Sequence, residues 1–144
     1  RCAPGDVQRY TGKISGPILD RIDLRVEVTT PPADKLGCAA DRDTTRALRA
    51  RIVATRERQA LRFAEVPGVH CNAQAGPDER RAFARPRREA TDLLRRAVTR
   101  WNLSVRAYER TLAVARSIAD LDGASDVDAH HVAEALQYRL DAAS

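Results

Sequence analysis

The chain predicts a mainly helical fold, with one strand and short helices in its first thirty residues and a helical bundle after them. Three patterns carry this expectation. Residues 87–101 place Leu94, Ala97, Val98 and Trp101 at i, i+3, i+4 and i+7, a stripe that suits a helix buried on one side. Residues 104–121 repeat the pattern through Val105, Tyr108, Leu112, Ala115, Ile118 and Ala119, behind a Ser104 placed to cap the helix. Only Ile22, Leu24, Val26 and Val28 alternate at strand period.

The elements follow in order. Pro4 and Asp6 open a short helix over 5–13, ending near Gly12. Gly16-Pro17 stops one helix and starts the next, because proline fits the first helical position and nowhere deeper. A short helix over 17–21 then leads into a strand over 22–28, closed by Pro31-Pro32, which cannot supply ladder donors. Residues 31–42 read as a linker. Asp43 or Thr44 caps a helix over 44–63 whose apolar stripe (Leu48, Ile52, Thr55 and Ala60, with Val53 on the flank) is narrow. Pro67-Gly68, Gly76-Pro77 and Pro86 make most of 64–86 a loop, with a short helix starting at Pro77-Asp78-Glu79. Asn102-Leu103 breaks the two striped helices, and Gly123 suits a left-handed stop. Asp126 or Asp128 caps a last helix that turns Val132, Ala135, Leu136 and Leu140 inward. Helices joined by short loops give an antiparallel bundle. A single strand is not stable alone, so the strand is expected to join a sheet outside these residues.

Composition narrows the classes. The 144 residues suit one domain, or a domain and a smaller piece, and they contain no Met, so a piece of a longer protein is expected. No apolar run is long enough to span a membrane and no signal peptide opens the chain. Three scattered Cys, at 2, 38 and 71, complete neither a disulfide framework nor a zinc site and fit a reducing cytoplasm. The net charge is +5 and rests on arginine, Lys13 and Lys35 being the only lysines. Arginine favours phosphate or carboxylate partners, although codon bias alone can produce the same enrichment.

Three runs carry a resemblance. They are Arg9-Tyr10 with Ile14-Ser15-Gly16-Pro17-Ile18-Leu19-Asp20-Arg21-Ile22-Asp23-Leu24; then Leu103-Ser104-Val105-Arg106-Ala107-Tyr108-Glu109-Arg110 with Val114-Ala115-Arg116-Ser117-Ile118-Ala119-Asp120-Leu121; and His131-Val132-Ala133-Glu134-Ala135-Leu136-Gln137-Tyr138-Arg139. Together they resemble the C-terminal part of magnesium-chelatase-like AAA+ ATPases of the ComM/YifB type. The resemblance implies that residues 1–30 end an α/β nucleotide-binding core, that 31–42 link it to a lid, and that 43–144 form the helical lid. It implies ATP and Mg2+ in the full-length protein, with neither held tightly by this stretch alone. The implied partners are the protein's own upstream core, further copies in a ring such as a hexamer, and possible DNA, through branch migration. The implied setting is cytoplasmic, with no membrane.

The site residues follow from the same resemblance. Arg21 takes the place of an arginine finger, which reaches the neighbouring subunit's ATP and steadies charge on the γ-phosphate. Without the resemblance, an ion pair to Asp20, Asp23 or an upstream carboxylate explains it. Arg106 takes the place of the sensor-2 arginine, a contact to the γ-phosphate within one subunit. Its position near a helix N-terminus independently favours an anion, and a local pair with Glu109 is the alternative. Arg110 and Arg116 also match, and read as lid structure or subunit interface; Arg116 and Asp120 form an i, i+4 pair worth a few tenths of a kcal/mol, ~0.2–0.5, if exposed. Cys2 is a weak metal candidate as the end of an upstream cysteine cluster. Otherwise no metal site is expected.

Other patterns are weaker. Thr11-Gly12-Lys13-Ile14 is not a phosphate-binding loop, since the upstream glycine is misplaced and Ile14 has no hydroxyl. The run from Asp126 to His131 suggests a metal only superficially, because neighbouring histidines on a helix diverge. The arginine-rich helix, with Arg46, Arg49, Arg56 and Arg58, is a nucleic-acid or partner surface by its charge, or simply a solvated face. Hence the rival to an ATPase piece is a basic helical module that binds DNA or an acidic protein. Metal insertion into a porphyrin ranks behind both.

Overall fold

The computed structural model describes residues 3–13, 15, 18, 21–30, 32–33 and 45–140. Cys2, Cys38, Asp20 and nearly all of the expected linker lie outside them. So does most of the helix expected over 17–21, of which the Arg21 N–H still donates to the Ile18 carbonyl at 2.9 Å. The described elements are α1 (Pro4–Thr11), α2 (Thr45–Arg62), α3 (Pro77–Ala84), α4 (Arg88–Trp101), α5 (Val105–Leu121) and α6 (Ala129–Leu140). The mainly helical expectation holds. No described helix is long and apolar enough to cross a membrane.

Helix α5 is the axis of the bundle, touching α2, α3 and α6, while α6 also packs on α4. The core joins Leu94 and Ala97 of α4, Leu112, Ala115, Ile118 and Ala119 of α5, and Val132, Ala135 and Leu136 of α6. So many alanines let the helix axes approach closely. Ser104 caps α5 as expected, its hydroxyl accepting from the Ala107 N–H at 3.1 Å. Gly123 sits at φ +74, a left-handed conformation that favours glycine. A parallel bridge between Pro86 and Val127 ties the starts of α4 and α6 side by side.

Some periodic positions fall outside the core. Trp101 is 44% exposed because α4 ends at Asn102, in the left-handed region at φ 48, one turn beyond its packing partners. Val105, in the first turn of α5, is 79% exposed for the same reason. The expected strand forms no ladder among the described residues. Residues 22–30 form no regular element; Asp23 and Arg25 are half-buried while Ile22, Leu24, Val26 and Val28 are exposed. A strand needs a partner edge, and the helices offer side chains and helix-end carbonyls instead. The Arg25 N–H donates to the Tyr138 carbonyl at 2.8 Å.

Helix α2 buries only Thr55 of its expected stripe. Leu48, Ile52 and Val53 are exposed, and the residues it buries are Thr55 and Gln59. A charged hub holds it in place instead. Asp120 of α5, 0% exposed, accepts from Arg62 at both carboxylate oxygens, from Asn72 Nδ2 at 2.8 Å and from Gln59 Nε2 at 3.4 Å. Arg116 adds Nε at 3.1 Å and Nη2 at 2.9 Å, and spends its other donors on the Ser125 and Ala124 carbonyls. The Arg116–Asp120 pair is therefore no surface pair but the centre of a buried network. Burial pushes the Asp120 carboxyl up, but the hydrogen bonds from Arg62 and Asn72 and the two guanidinium charges win, holding it below its usual value. Burial pulls Arg116 below its ordinary value against the pull of Asp120.

Candidate functional site

Two arginines beside the first turns of α5 are consumed by carboxylates, and one is left open. Arg80 of α3 donates Nε to the Ala75 carbonyl at 2.9 Å and Nη1 to Glu109 at 2.9 Å. Arg110 donates Nη1 to both oxygens of Asp23, at 2.9 and 2.8 Å. Arg106 is exposed, and among the described residues its side chain has no hydrogen bond or ion pair. Arg80, Val105, Arg106, Glu109 and Arg110 line an open cleft of about 330 Å³. Counting Asp23 with them leaves a net charge of +1, located on Arg106, beside the N-terminal end of α5 where the helix dipole also favours anions. The alternative pairing of Arg106 with Glu109 is not made, because Glu109 faces Arg80.

The charge and geometry of this arrangement suit an oxyanion. Among the described residues, neither a nucleophile nor a free general base lines the cleft. The carboxylates at hand, Glu109 and Asp23, already hold guanidinium groups and do not fit a magnesium site. Arg21 lies on the extended segment that Asp23 docks on α5; it is exposed, and Asp23 does not pair with it. The structure thus brings Arg106 and Arg110 together with Arg80, and leaves Arg21 projecting from the bundle.

The arginines of α2 do not form a single free face. Arg46 and Arg49 are exposed, with no side-chain partner among the described residues. Arg58 donates to the Asp120 carbonyl at 3.0 Å, and Arg56 lies 3.5 Å from Gln59 Oε1. Arg56 also faces Cys71; burial raises that thiol, but hydrogen bonds from the Gln74 N–H and Arg56 outweigh it and lower its pKa.

The histidines require a correction. His130 and His131 do not diverge: their ring centroids are 3.8 Å apart and Asp122 joins them in a potential ligand cluster. The donor chemistry nevertheless argues against a metal. His131 Nδ1 accepts the Asp128 backbone N–H at 2.9 Å, so the proton of a neutral ring sits on Nε2 and blocks it as a ligand. His131 is the third residue of α6 and closes its first turn as a glutamate does in a capping box. Burial, then the neighbouring His130, hold its pKa below the ordinary value against Asp122 and Asp128. The unfolded chain therefore takes up the proton first. The stability contributed by neutral His131 is complete above pH ~6.5 and falls as pH drops below it. Thermal melts at pH 7.5 and 5.5 should show this loss. His131→Gln, which keeps an acceptor but no titration, should lose less over the same interval.

With this geometry described, comparison with known proteins settles the family. Residues 42–139 match the model described as "Magnesium chelatase, subunit ChlI C-terminal", and residues 1–36 match "Magnesium chelatase, subunit ChlI". The chain belongs to the magnesium-chelatase-like ComM/YifB family. It is 37% identical over 140 residues to competence protein ComM of Haemophilus influenzae, covering 96% of this chain and 26% of that protein. It is 35% identical to YifB of Escherichia coli K12, over 96% of this chain and 27% of that protein. An uncharacterised protein of Mycobacterium tuberculosis is 43% identical over 139 residues, again 96% of this chain and 27% of that protein. The chain thus spans about a quarter of the length of these relatives. The Arg80–Glu109 and Arg110–Asp23 pairs had no signal in the sequence, since their partners lie 29 and 87 positions apart.

Proposed function

We propose that this ComM/YifB-family chain forms the helical lid and the closing segment of the nucleotide-binding core in a ring-forming cytoplasmic AAA+ ATPase. Arg106 reads the γ-phosphate of ATP bound to its own subunit, and Arg21 reaches the ATP of the next one in the ring. The observation that supports this reading is the Arg106 guanidinium, which has no partner among the described residues and lies at the α5 cleft between two arginines paired with Glu109 and Asp23. Such a charge attracts phosphate oxygens and stabilises negative charge that builds on them. Mg2+ accompanies the nucleotide and is held outside the described residues. The exposed apolar row Ile22, Leu24, Val26 and Val28 is the face that the upstream core would cover. The test is Arg106→Ala in the full-length protein. Loss of one charged contact to phosphate should weaken ATP binding ~10–100-fold, as read with a fluorescent nucleotide. Unchanged affinity would overturn the assignment.

A second reading rests on Arg46 and Arg49, exposed on α2 without partners among the described residues. By it, the motor acts on DNA and α2 contributes phosphate contacts, or the chain is a basic binding module without an ATPase role. Two phosphate contacts would give a salt slope near −2 on a logarithmic plot, and Arg46→Ala with Arg49→Ala should abolish it.

A further inference from the structure

The segment that bears Arg21 is docked on the helix that bears Arg106 by an ion pair. Asp23, two residues after Arg21, receives Arg110 Nη1 at both carboxylate oxygens, 2.9 and 2.8 Å away. Arg110 is one turn after Arg106 on α5, and both line the same cleft. The second anchor is a backbone bond, Arg25 N–H to the Tyr138 carbonyl at 2.8 Å. Leu24, the one residue between these anchors, is exposed and contributes little holding energy. Only Nη1 of Arg110 is spent on Asp23, and the Nε and Nη2 donors have no partner among the described residues.

We infer that Asp23 and Arg110 are a positioning pair that fixes the Arg21 segment to α5, so that a polyphosphate in the Arg106 cleft and the placement of Arg21 are coupled through Arg110. The inference rests on the proposed function for the identity of the anion, but not for the docking itself. Arg110 is shared between the carboxylate that orders the segment and the cleft that receives the anion. Binding at one side must then alter the other, because linkage between two sites is reciprocal. The finger would accordingly travel with the lid helix, and the occupancy of one subunit's cleft would reach the next subunit through Arg21.

Two measurements on the full-length protein test this. The first uses no ligand. Asp23→Asn should speed exchange of the Arg25 amide, which donates to the Tyr138 carbonyl, about fivefold, the scale of a half-exposed ion pair. Core amides of Ala115 and Ala119 should not change. Exchanging the charges, Asp23→Arg with Arg110→Asp, should slow exchange again. Unaltered exchange in Asp23→Asn would overturn the positioning role. The second adds inorganic tripolyphosphate and follows backbone resonances. Shifts at Arg106 and at residues 21–25 are expected together, with the latter lost in Asp23→Asn and kept in Asp23→Glu. Shifts at Arg106 with none at 21–25 in the unaltered chain would overturn the coupling. If tripolyphosphate leaves Arg106 unmoved, the phosphate reading of the cleft and the coupling built on it both fail, while the exchange result still decides the docking.

Discussion

Asp120→Ala should lower the stability of the chain by ~3–5 kcal/mol, the cost of leaving buried charge uncompensated. The carboxylate is fully buried and faces two guanidinium groups, Arg62 and Arg116, the second of them buried as well. Its removal leaves two positive charges, an Asn72 amide and a Gln59 amide without their shared acceptor. The midpoint of thermal unfolding should fall by roughly 10–20 °C at this chain length. Circular dichroism at 222 nm, a conventional helix wavelength, is the measurement. Asp92→Ala is the comparison: its pairing with Arg88 is exposed at 3.9 Å, and its loss should change little, within ~0.5 kcal/mol. A small effect of Asp120→Ala would mean that α2 is held by its exposed apolar residues after all.

The same hub shows what a sequence reader can and cannot find. The spacing of Arg116 and Asp120 identifies an i, i+4 pair, but pattern alone does not say that Arg62, Asn72 and Gln59 converge on it from about fifty to sixty residues away. The stripes of α4, α5 and α6 were legible because helix packing against helix repeats a local period. Helix α2 was legible as a helix but not in its packing, since its buried face is polar and no hydrophobic count detects it. The extended segment misled in a more instructive way. Its apolar alternation was real, yet among the described residues nothing covers Ile22, Leu24, Val26 and Val28, and the polar alternates Asp23 and Arg25 make the contacts. The position of Arg106 behind the Ser104 cap was legible. That it has no partner among the described residues depends on Glu109 and Asp23 pairing with other arginines, which only three-dimensional placement decides.

Arg21→Ala in the full-length protein should retain ATP binding and lose turnover by ~10³–10⁵, the scale measured for arginine fingers elsewhere. Arg21 lies two residues before Asp23. It is exposed, has no side-chain partner among the described residues, and lies next to a carboxylate that has chosen Arg110 instead. An exposed arginine on a docked segment, without a partner among the described residues, is suited to an anion beyond its own subunit. Contact made only as charge shifts in the transition state lowers kcat and leaves KM nearly unchanged. Mixing Arg21→Ala subunits with subunits whose phosphate loop is disabled should recover activity, because some interfaces then combine an intact finger with an intact ATP site. Neither variant alone can form such an interface. Undiminished turnover in Arg21→Ala would remove the finger role. Lost turnover with no recovery on mixing would place Arg21 at its own subunit's nucleotide, and the segment docked by Asp23 would then serve a site within one subunit rather than between two.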